Sequence, residues 1–396
     1  MVRILFMHHS SSIGGGSYCL LNVIKALDKQ QFEPVVALKQ EGSLTKELRR
    51  LGVEVVLFNK MADVPYNRTL WNLHSIKSYL SVFSSLNPFV QFLHKVKCDV
   101  LYLNNMMIYP YLRVARKFGM KTIIHVREHW PLDEHRVQLN WARKAVYSYA
   151  DSLIAINNYS ASIFPNKRAT IVHDWIDMKS RNKPIPLSDV FHEDMTGKKV
   201  LLYLGGLSSI KGADYILDSF VHSVKSEDYR LLVIGVDSIP ELSGLVHKVK
   251  LFLEKFGYYY YDKRVRELLA ADHRIRCIPA IFEISDIIKQ SHCFVSYFRI
   301  PHANLALAEN IILGNPCIAA DTEEAREYSG DGKYAKLVRP MNNQGVFSSM
   351  LIDFLKSIEQ WKDAAREGIP ELSEVFGPDR NISLLNLTLQ KVLVNN

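Results

Sequence analysis

Cysteine is scarce in this chain, and long apolar runs are missing altogether. The five cysteines in 396 residues, Cys19, Cys98, Cys277, Cys293 and Cys317, are odd in number, scattered and without a C-x-x-C pair. That excludes a disulfide framework and a thiolate zinc site, and points to reduced thiols in a cytoplasmic protein. No run of about 18 uncharged apolar residues occurs, so no segment is expected to cross a membrane. The opening "MVRILFMHHSSS" has one basic residue and a short apolar stretch, and reads as a first buried strand rather than a secretory signal. An arginine-rich run and an RNA-binding aromatic motif are also missing. The formal charge of +8 suits an anionic partner, either nucleic acid, lipid or a phosphorylated small molecule. Its basic residues are spread along the sequence, which argues against nucleic acid.

The length exceeds one ordinary core, so two domains of roughly 150–200 residues are expected. The first forty residues read as an apolar strand "RILFMHH", a loop "SSSIGGGS", a helix "YCLLNVIKAL" and a strand "FEPVVALK". This is the unit from which parallel sheets are built. It continues through "VEVVLF", "CDVLYLN", "KTIIHV" and "DSLIAIN", and "ATIVHDWID" reads as a last strand and exit turn. Residues 179–198 lose periodicity and carry two prolines, as an interdomain linker would. The pattern then restarts with "KVLLYL", "GGLSSIKG", "ADYILDSFVHSV" and "YRLLVIG". Continuous rather than alternating apolar strands indicate sheets covered on both faces. The expected fold class is therefore α/β, with two doubly wound parallel-sheet domains, 1–178 and 199–377.

Met61 to Val96 differs: it is rich in Trp, Leu and Phe, with interspersed Lys and His and no acid after Asp63. Two readings stand: a helix packed on the sheet, or an amphipathic surface helix in contact with lipid phosphates.

Four stretches carry the polar chemistry, each where a strand runs into a helix and ligands of parallel sheets bind. Gly14-Gly15-Gly16 lets backbone N–H groups approach an anion, or serves as a tight turn. It lacks the G-x-G-x-x-G spacing, which weighs against a nicotinamide dinucleotide. Gly205 to Gly212 holds Lys211 at a helix start, placed either for a diphosphate or in solvent. It is not a Walker loop, because Lys211 precedes its glycine. In "HVREHW", His125 and His129 lie on a strand end rather than a helix, and Glu128 is misplaced for H-E-x-x-H. A metal is therefore not expected, and His125, Arg127, Glu128 and His129 read as polar groups facing a cleft. Finally, "HANLALAENIILGNPCIAAD" reads as an N-cap at Asn304, a nine-residue helix, a stop at Gly314 and Pro316, and a strand. It places Glu309 among Leu305, Ala306, Ile312 and Leu313. A buried carboxylate there needs a partner, for which a ligand hydroxyl is suited; the alternative is a solvated face.

Together these stretches resemble the retaining glycosyltransferases of the GT-B fold, specifically family 4, over nearly the whole chain. Gly14 to Gly16 match that family's glycine-rich first loop. Asp174-Trp175-Ile176-Asp177 partly match its N-G-[IV]-D turn, 205–212 its G-R-L-x-x-x-K-G, and 309–321 the second half of its E-x7-E block with the following helix and strand. The resemblance implies two Rossmann-like domains facing a cleft, with a C-terminal helix, 378–396, crossing back to the first. It implies a nucleoside diphosphate sugar, UDP- or GDP-linked, as donor substrate, with no cofactor and no metal required. Lys211 would meet the diphosphate, backbone at Asn304, Leu305 and Ala306 its distal phosphate, Glu309 the ribose, and backbone at Ile278 the base. Gly15, Gly16, Gly206 and His302 complete the donor side. Ser17 and His129 fall on the side of a glycan or lipid-linked acceptor, and His125, Arg127, Glu128 and Lys211 take the catalytic positions. Retention would proceed by attack from the leaving-group face. Two departures stand out: the family arginine is Gly206, and the first Glu of E-x7-E is Pro301, with His302 beside it to take over the contact. The implied setting is cell-surface polysaccharide or glycoconjugate assembly at the cytosolic face of a membrane, with a silent nucleotide-sugar-binding subunit or an epimerase as alternatives.

Overall fold

The structure is a computed structural model and describes every residue except 13, 66–71, 133, 177–184, 282–283, 340–343 and 395–396. The chain divides into two compact units, Met1–Trp175 with Val375–Asn396, and Ile176–Glu374. The first holds β1 (Val2–Met7), α1 (Gly15–Ala26), β2 (Phe32–Leu38), α2 (Ser43–Arg50), β3 (Glu54–Leu57), α3 (Leu73–Val96) and β4 (Val100–Leu103). It continues with α4 (Tyr111–Lys117), β5 (Lys121–Val126), α5 (Arg136–Tyr149), β6 (Ser152–Ala155), α6 (Asn158–Ser162) and β7 (Thr170–Ile171). The second runs α7 (Leu187–Phe191), β8 (Lys199–Tyr203), α8 (Ala213–Ser223), β9 (Tyr229–Ile234), α9 (Gly244–Glu254), α10 (Tyr261–Ala271), β10 (Ile275–Ile278) and α11 (Ser285–Gln290). Next come β11 (Cys293–Val295), α12 (Leu305–Ile312), β12 (Cys317–Ala320), α13 (Glu323–Glu327), β13 (Lys336–Val338), α14 (Gln344–Lys356) and α15 (Ile358–Phe376), whose last two residues, with α16 (Pro378–Val394), belong to the first unit.

The sheet orders are β3-β2-β1-β4-β5-β6-β7 and β10-β9-β8-β11-β12-β13. Each recorded pairing is parallel, with β1 and β4 in register from Ile4↔Val100 to Met7↔Leu103. Both sheets therefore wind outward from a central pair, and the chain reverses its winding between β1 and β4 and between β8 and β11. Such switch points leave a crevice beyond the strand carboxyl ends, where ligands of α/β sheets sit.

Buried strands supply the cores. In the first unit Leu5, Met7, Leu101, Leu103 and Ile124 pack under Tyr79, Val82, Phe89 and Leu93 of α3, Tyr111 of α4, and Leu139 and Val146 of α5. Phe89 and Tyr111 meet edge to face with centroids 4.7 Å apart, a geometry favoured by the ring quadrupoles. In the second, Leu201, Tyr203 and Val233 pack against Ile216, Leu217 and Phe220 of α8 and Phe347, Leu351 and Phe354 of α14. Buried Asn381 fastens α16: its Oδ1 accepts the His173 N–H at 2.9 Å, and its Nδ2 donates to the Val375 and Gly377 carbonyls.

Several elements are shorter than their apolar runs. "HCFVSYF" gives only Cys293–Val295, and "ATIVHDWID" only Thr170–Ile171. Their later residues leave the ladder to form the loops beyond the strand ends. The nine-residue helix has eight, because Leu313 is its C-cap and Gly314 turns the chain at φ +76°. The expected linker is not structureless: 187–191 form α7, while 179–184, like Asp177 of the partial turn motif, lie outside the described residues.

Candidate functional site

In the second unit, the loop after β8 and the loop after β11 are laced together beside the switch point. Arg299 N–H donates to the Ile210 carbonyl at 2.9 Å. The Tyr203 hydroxyl donates to the Lys211 carbonyl and the Tyr261 hydroxyl to the Leu207 carbonyl, both at 3.0 Å. Two glycines make this approach feasible. Gly206 has φ +58°, and a Cβ there would lie 2.5 Å from the Gly235 carbonyl oxygen; at Gly212, φ +70°, it would strike the Tyr297 carbonyl. The missing family arginine has a steric reason in this chain: position 206 has no room for a side chain. Lys211 is left as the loop's cation. It is half-buried, pairs with no carboxylate among the described residues, and burial lowers its pKa.

Arg299 does not replace that arginine as a free charge. Its guanidinium pairs with the buried Asp214 at the start of α8 and lies 4.3 Å over the Tyr215 ring. Nor does it reach for Glu309. The Glu309 carboxylate, in the second turn of α12, is half-buried and has no hydrogen bond or ion pair among the described residues. Desolvation by its apolar surroundings pushes it up to about 7. Asn304 occupies the N-cap position without capping, since its side chain turns back to donate to Ser296 Oγ at 3.1 Å. The N–H groups of Leu305 and Ala306 thus start the helix without a side-chain cap, the arrangement that receives an anion. His302 donates from Nδ1 to the Ile300 carbonyl at 2.9 Å. Ile278 ends β10, two strands out from β8. Its carbonyl already accepts the Gly235 and Val236 N–H groups, leaving exposed Pro279 and Ala280 as the open backbone there.

Glu309 gives a pH prediction. Its carboxyl titrates near 4.5 when exposed and near 7 in the fold. Between those values the folded state holds a proton that the unfolded chain has lost, so stability falls as pH rises through that window. Melting temperatures of Glu309→Gln and the parent chain are expected to diverge from pH 4.5 upward, in favour of the variant, and to run parallel above about 7. Curves parallel throughout would mean that the carboxyl is not desolvated.

The first unit carries a denser polar cluster at its own switch point. His8-His9 follow β1 and Asn104-Asn105 follow β4, and the parallel register sets them side by side. Asn104 Nδ2 lies 3.2 Å from His8 Nδ1 and Asn105 Nδ2 2.5 Å from His9 Nδ1. Ser17 Oγ donates to the Ser12 carbonyl at 2.7 Å, so His8 Nε2–H donates to Ser17 Oγ at 3.2 Å and Nδ1 accepts from Asn104. Asn104 Oδ1 accepts Arg127 Nε at 3.1 Å, and Arg127 Nη1 reaches both Asp174 oxygens at 2.5 and 2.6 Å. One proton arrangement therefore satisfies the line from Asp174 through Arg127, Asn104 and His8 to Ser17. His125 Nδ1 takes the Tyr102 hydroxyl at 2.6 Å and Arg127 Nη2 at 3.3 Å, which puts its proton on Nε2, buried with no partner among the described residues. Burial, then the neighbouring cation, holds His125 well below the usual histidine range; His8 is lowered likewise by burial, His9 and Arg127. Burial, the largest single influence, opposes the charge on Arg127, and Asp174, Cys19 and Tyr102 together outweigh it, raising the guanidinium pKa.

Glu128 sits apart from the line. Its Oε2 accepts the Met106 N–H at 2.8 Å and its Arg127 neighbour's N–H at 3.1 Å, and burial raises its pKa against these bonds. His129 stacks on Tyr159 of α6 at 4.0 Å. Gly15 and Gly16 open α1, and a Cβ at Gly15 would meet nothing within 4 Å, so no packing demands glycine there and the approach to the backbone is open. Of the residues singled out from sequence, His125, Arg127, Gly16 and Ser17 thus come together in one unit, and Lys211, His302, Asn304 and Glu309 lie about one switch point in the other. His8, Asn104, Asp214 and Arg299 were missed. The doublets His-His and Asn-Asn directly after two buried runs were the signal for the first two.

Residues 14–170 match a family model described as a glycosyl transferase 4-like domain, and residues 189–368 one described as glycosyl transferases group 1. No curated protein matches the chain in sequence. Among solved structures it is similar to Anabaena Alr3699/HepE in complex with UDP-glucose, at TM-score 0.73 and 16% identity, with all of both chains covered. It is also similar to sucrose-phosphate synthase from Thermosynechococcus elongatus, at TM-score 0.71 and 11% identity, again over all of both chains. A putative UDP-N-acetylglucosamine 2-epimerase from Listeria monocytogenes follows at TM-score 0.63 and 11% identity, with 100% of this chain and 97% of that one covered.

Proposed function

Because the chain belongs to the GT-B glycosyltransferases of family 4 type, we propose that it moves a sugar from a nucleoside diphosphate to a glycan or lipid-linked acceptor with retention of configuration. The observation that carries this reading is a triad at the second unit's switch point: the Lys211 ammonium and the Glu309 carboxylate, neither paired among the described residues, and the start of α12 without a side-chain cap. A nucleoside diphosphate meets all three, with phosphates at Lys211 and α12, and ribose hydroxyls at Glu309. UDP is favoured over GDP by the similarity to a fold that holds UDP-glucose in Anabaena Alr3699/HepE. The exposed backbone at Pro279 and Ala280 would receive the base, and His302 the sugar in place of the carboxylate that Pro301 removes.

In this reading Lys211 and the helix start stabilise the charge that develops on the departing diphosphate, the electrostatic contribution that weighs most in such reactions. No metal is required of that scheme, since a cation and backbone dipoles already face the leaving group. The acceptor meets the first unit at Ser17 and His129. His125, Arg127 and Glu128 act there as positioning residues, because His125 Nδ1, the Arg127 guanidinium and the Glu128 carboxylate are engaged with Tyr102, Asp174, Asn104 and backbone N–H groups. Attack then comes from the leaving-group face, with a phosphate oxygen taking the proton.

The membrane setting draws support from α3, α4 and α5. No helix of the described residues is long and apolar enough to cross a membrane. These three helices, however, carry Lys77, Lys95, Arg113, Arg116, Lys117, Arg136, Arg143 and Lys144 and not one acidic residue. Eight of the chain's 49 basic residues therefore lie on three neighbouring helices that carry no acid of their own, although Arg116 pairs with Asp151 beyond them, and Leu80, Phe83 and Trp141 are exposed on the same helices. The reading is of an enzyme of cell-surface polysaccharide or glycoconjugate assembly, working from the cytoplasm.

Pro301 and the bare position 206 favour one second reading, a nucleotide-sugar-binding subunit without turnover. Incubation with a panel of UDP- and GDP-sugars, with and without lipid-linked and glycan acceptors, separates the readings. Acceptor-dependent release of the diphosphate is expected. Tight binding without release supports the silent subunit, and conversion of donor without acceptor an epimerase.

A further inference from the structure

Helix α9 is mounted with its apolar side outward. Leu245, Val249, Phe252 and Phe256 follow one another at the i, i+4, i+7, i+11 spacing of a single helical stripe, the last of them two residues past the end of α9. They are 78%, 49%, 58% and 75% exposed. None of the described side chains of α9 is buried. What holds the helix to its unit is polar and lies off the stripe. His247 Nδ1 meets the Tyr260 hydroxyl at 3.1 Å, Lys250 pairs with Asp262 at 3.2 Å, and Glu254 takes Lys263 at 2.8 Å. At 100° per residue, Glu254, the helix's one acid, points away from the stripe, while the exposed Lys248 and Lys255 both run along one border of it.

An amphipathic helix inside a water-soluble unit normally buries its apolar side, and an exposed stripe of this size marks a surface made for a partner. Apolar side chains in front, lysines at the border and the acid behind is the charge and shape complement of an anionic lipid surface. There the Leu and Phe side chains enter the acyl boundary while the ammonium groups stay among phosphates. We propose that α9, with Phe256, is a lipid-docking helix of the second unit, seated on membranes bearing anionic headgroups. This inference does not depend on the nucleoside diphosphate assignment. It bears on that site all the same, because the segment leaving α9 reaches it: Tyr259 donates to Asp214 Oδ2 at 2.5 Å and Tyr261 to the Leu207 carbonyl.

The test is co-sedimentation of the full chain with vesicles of phosphatidylcholine and phosphatidylglycerol, against vesicles of phosphatidylcholine alone. Binding to the anionic vesicles is expected, weakened by salt, and about tenfold or more weaker in the double variant Phe252→Ser/Phe256→Ser, from the lost apolar insertion. Because both side chains are exposed, that variant should keep its melting temperature and its affinity for UDP in the absence of lipid. Lys248→Glu/Lys255→Glu should lose the preference for anionic vesicles. A separate variant, Leu80→Ser/Phe83→Ser, reports on the basic face of α3. If the parent chain ignores vesicles, or if the Phe252/Phe256 variant binds them undiminished, α9 is not a lipid-docking helix. A concentration-dependent dimer that this variant abolishes would instead make a second copy of the chain the occupant of the stripe, and would overturn the proposal.

Discussion

Lys211→Ala is expected to weaken nucleoside diphosphate binding by roughly 10- to 150-fold while leaving affinity for the bare nucleoside unchanged. The range follows from the loss of one charge-assisted hydrogen bond, about 1.5–3 kcal/mol. Three features make this residue decisive. Position 206 cannot carry a second cation, because its backbone lies at φ +58° against the Gly235 carbonyl. Arg299, the next cation along the laced loops, is tied to Asp214 and stacked on Tyr215. And the Lys211 backbone is held by Tyr203, so its ammonium is presented rather than free to wander. The same residue should cost the unliganded fold something, since burial disfavours its charge and no carboxylate among the described residues answers it. Lys211→Met is therefore expected to melt no lower than the parent chain. Affinities from calorimetry and melting curves on one pair of variants check both halves. A diphosphate affinity unchanged by the alanine would remove Lys211 from the site.

Asp174→Ala should be the most destabilising of the single changes considered. Arg127 is 7% exposed in its side chain and Asp174 12%, so the alanine leaves a guanidinium buried without its counter-charge. Breaking such a pair from one side costs about 3–5 kcal/mol, which for a unit of this size lowers the melting temperature by roughly 10 °C. The loss also propagates: Arg127 is the donor that fixes Asn104, and Asn104 fixes the tautomer of His8. Removing Glu41 from its exposed pair with Arg49 should shift the melting temperature by nothing measurable, because solvent already serves both charges. Replacing Arg127 and Asp174 together by Met and Leu should recover most of the stability but not the order of the cluster. A small shift for Asp174→Ala would mean that water reaches Arg127.

What could be read from the sequence was whatever a single segment dictates. Buried parallel strands announce themselves as continuous apolar runs, so β1, β5 and β9 and the doubly wound plan of both units were legible. So were the stop at Gly314 and the placement of Glu309 within a helix. Contacts between distant segments were not legible. His8 meets Asn104 across 96 residues, and Arg299 meets Asp214 across 85, only because parallel register and the switch point bring them together. The orientation of Asn304 was hidden for a related reason: an asparagine before a helix usually caps it, but here Ser296, at the end of the neighbouring strand, competes for its amide. The nearness of eight cations between Lys77 and Lys144 was hidden too: they lie apart in sequence, and only the packing of α3, α4 and α5 over one core sets them on neighbouring helices. The outward stripe of α9 has the periodicity of any amphipathic helix, and periodicity does not say which side faces the core.

Calorimetric titration of the intact chain with UDP and GDP, alongside uridine and guanosine, tests the central claim most directly. At least one diphosphate is expected to bind well above its nucleoside, and Glu309→Ala to weaken the diphosphate and its nucleoside by the same factor, since that carboxylate is assigned to the ribose they share. Equal affinity for nucleoside and diphosphate, or a Glu309→Ala variant that binds both as the parent chain does, would contradict it.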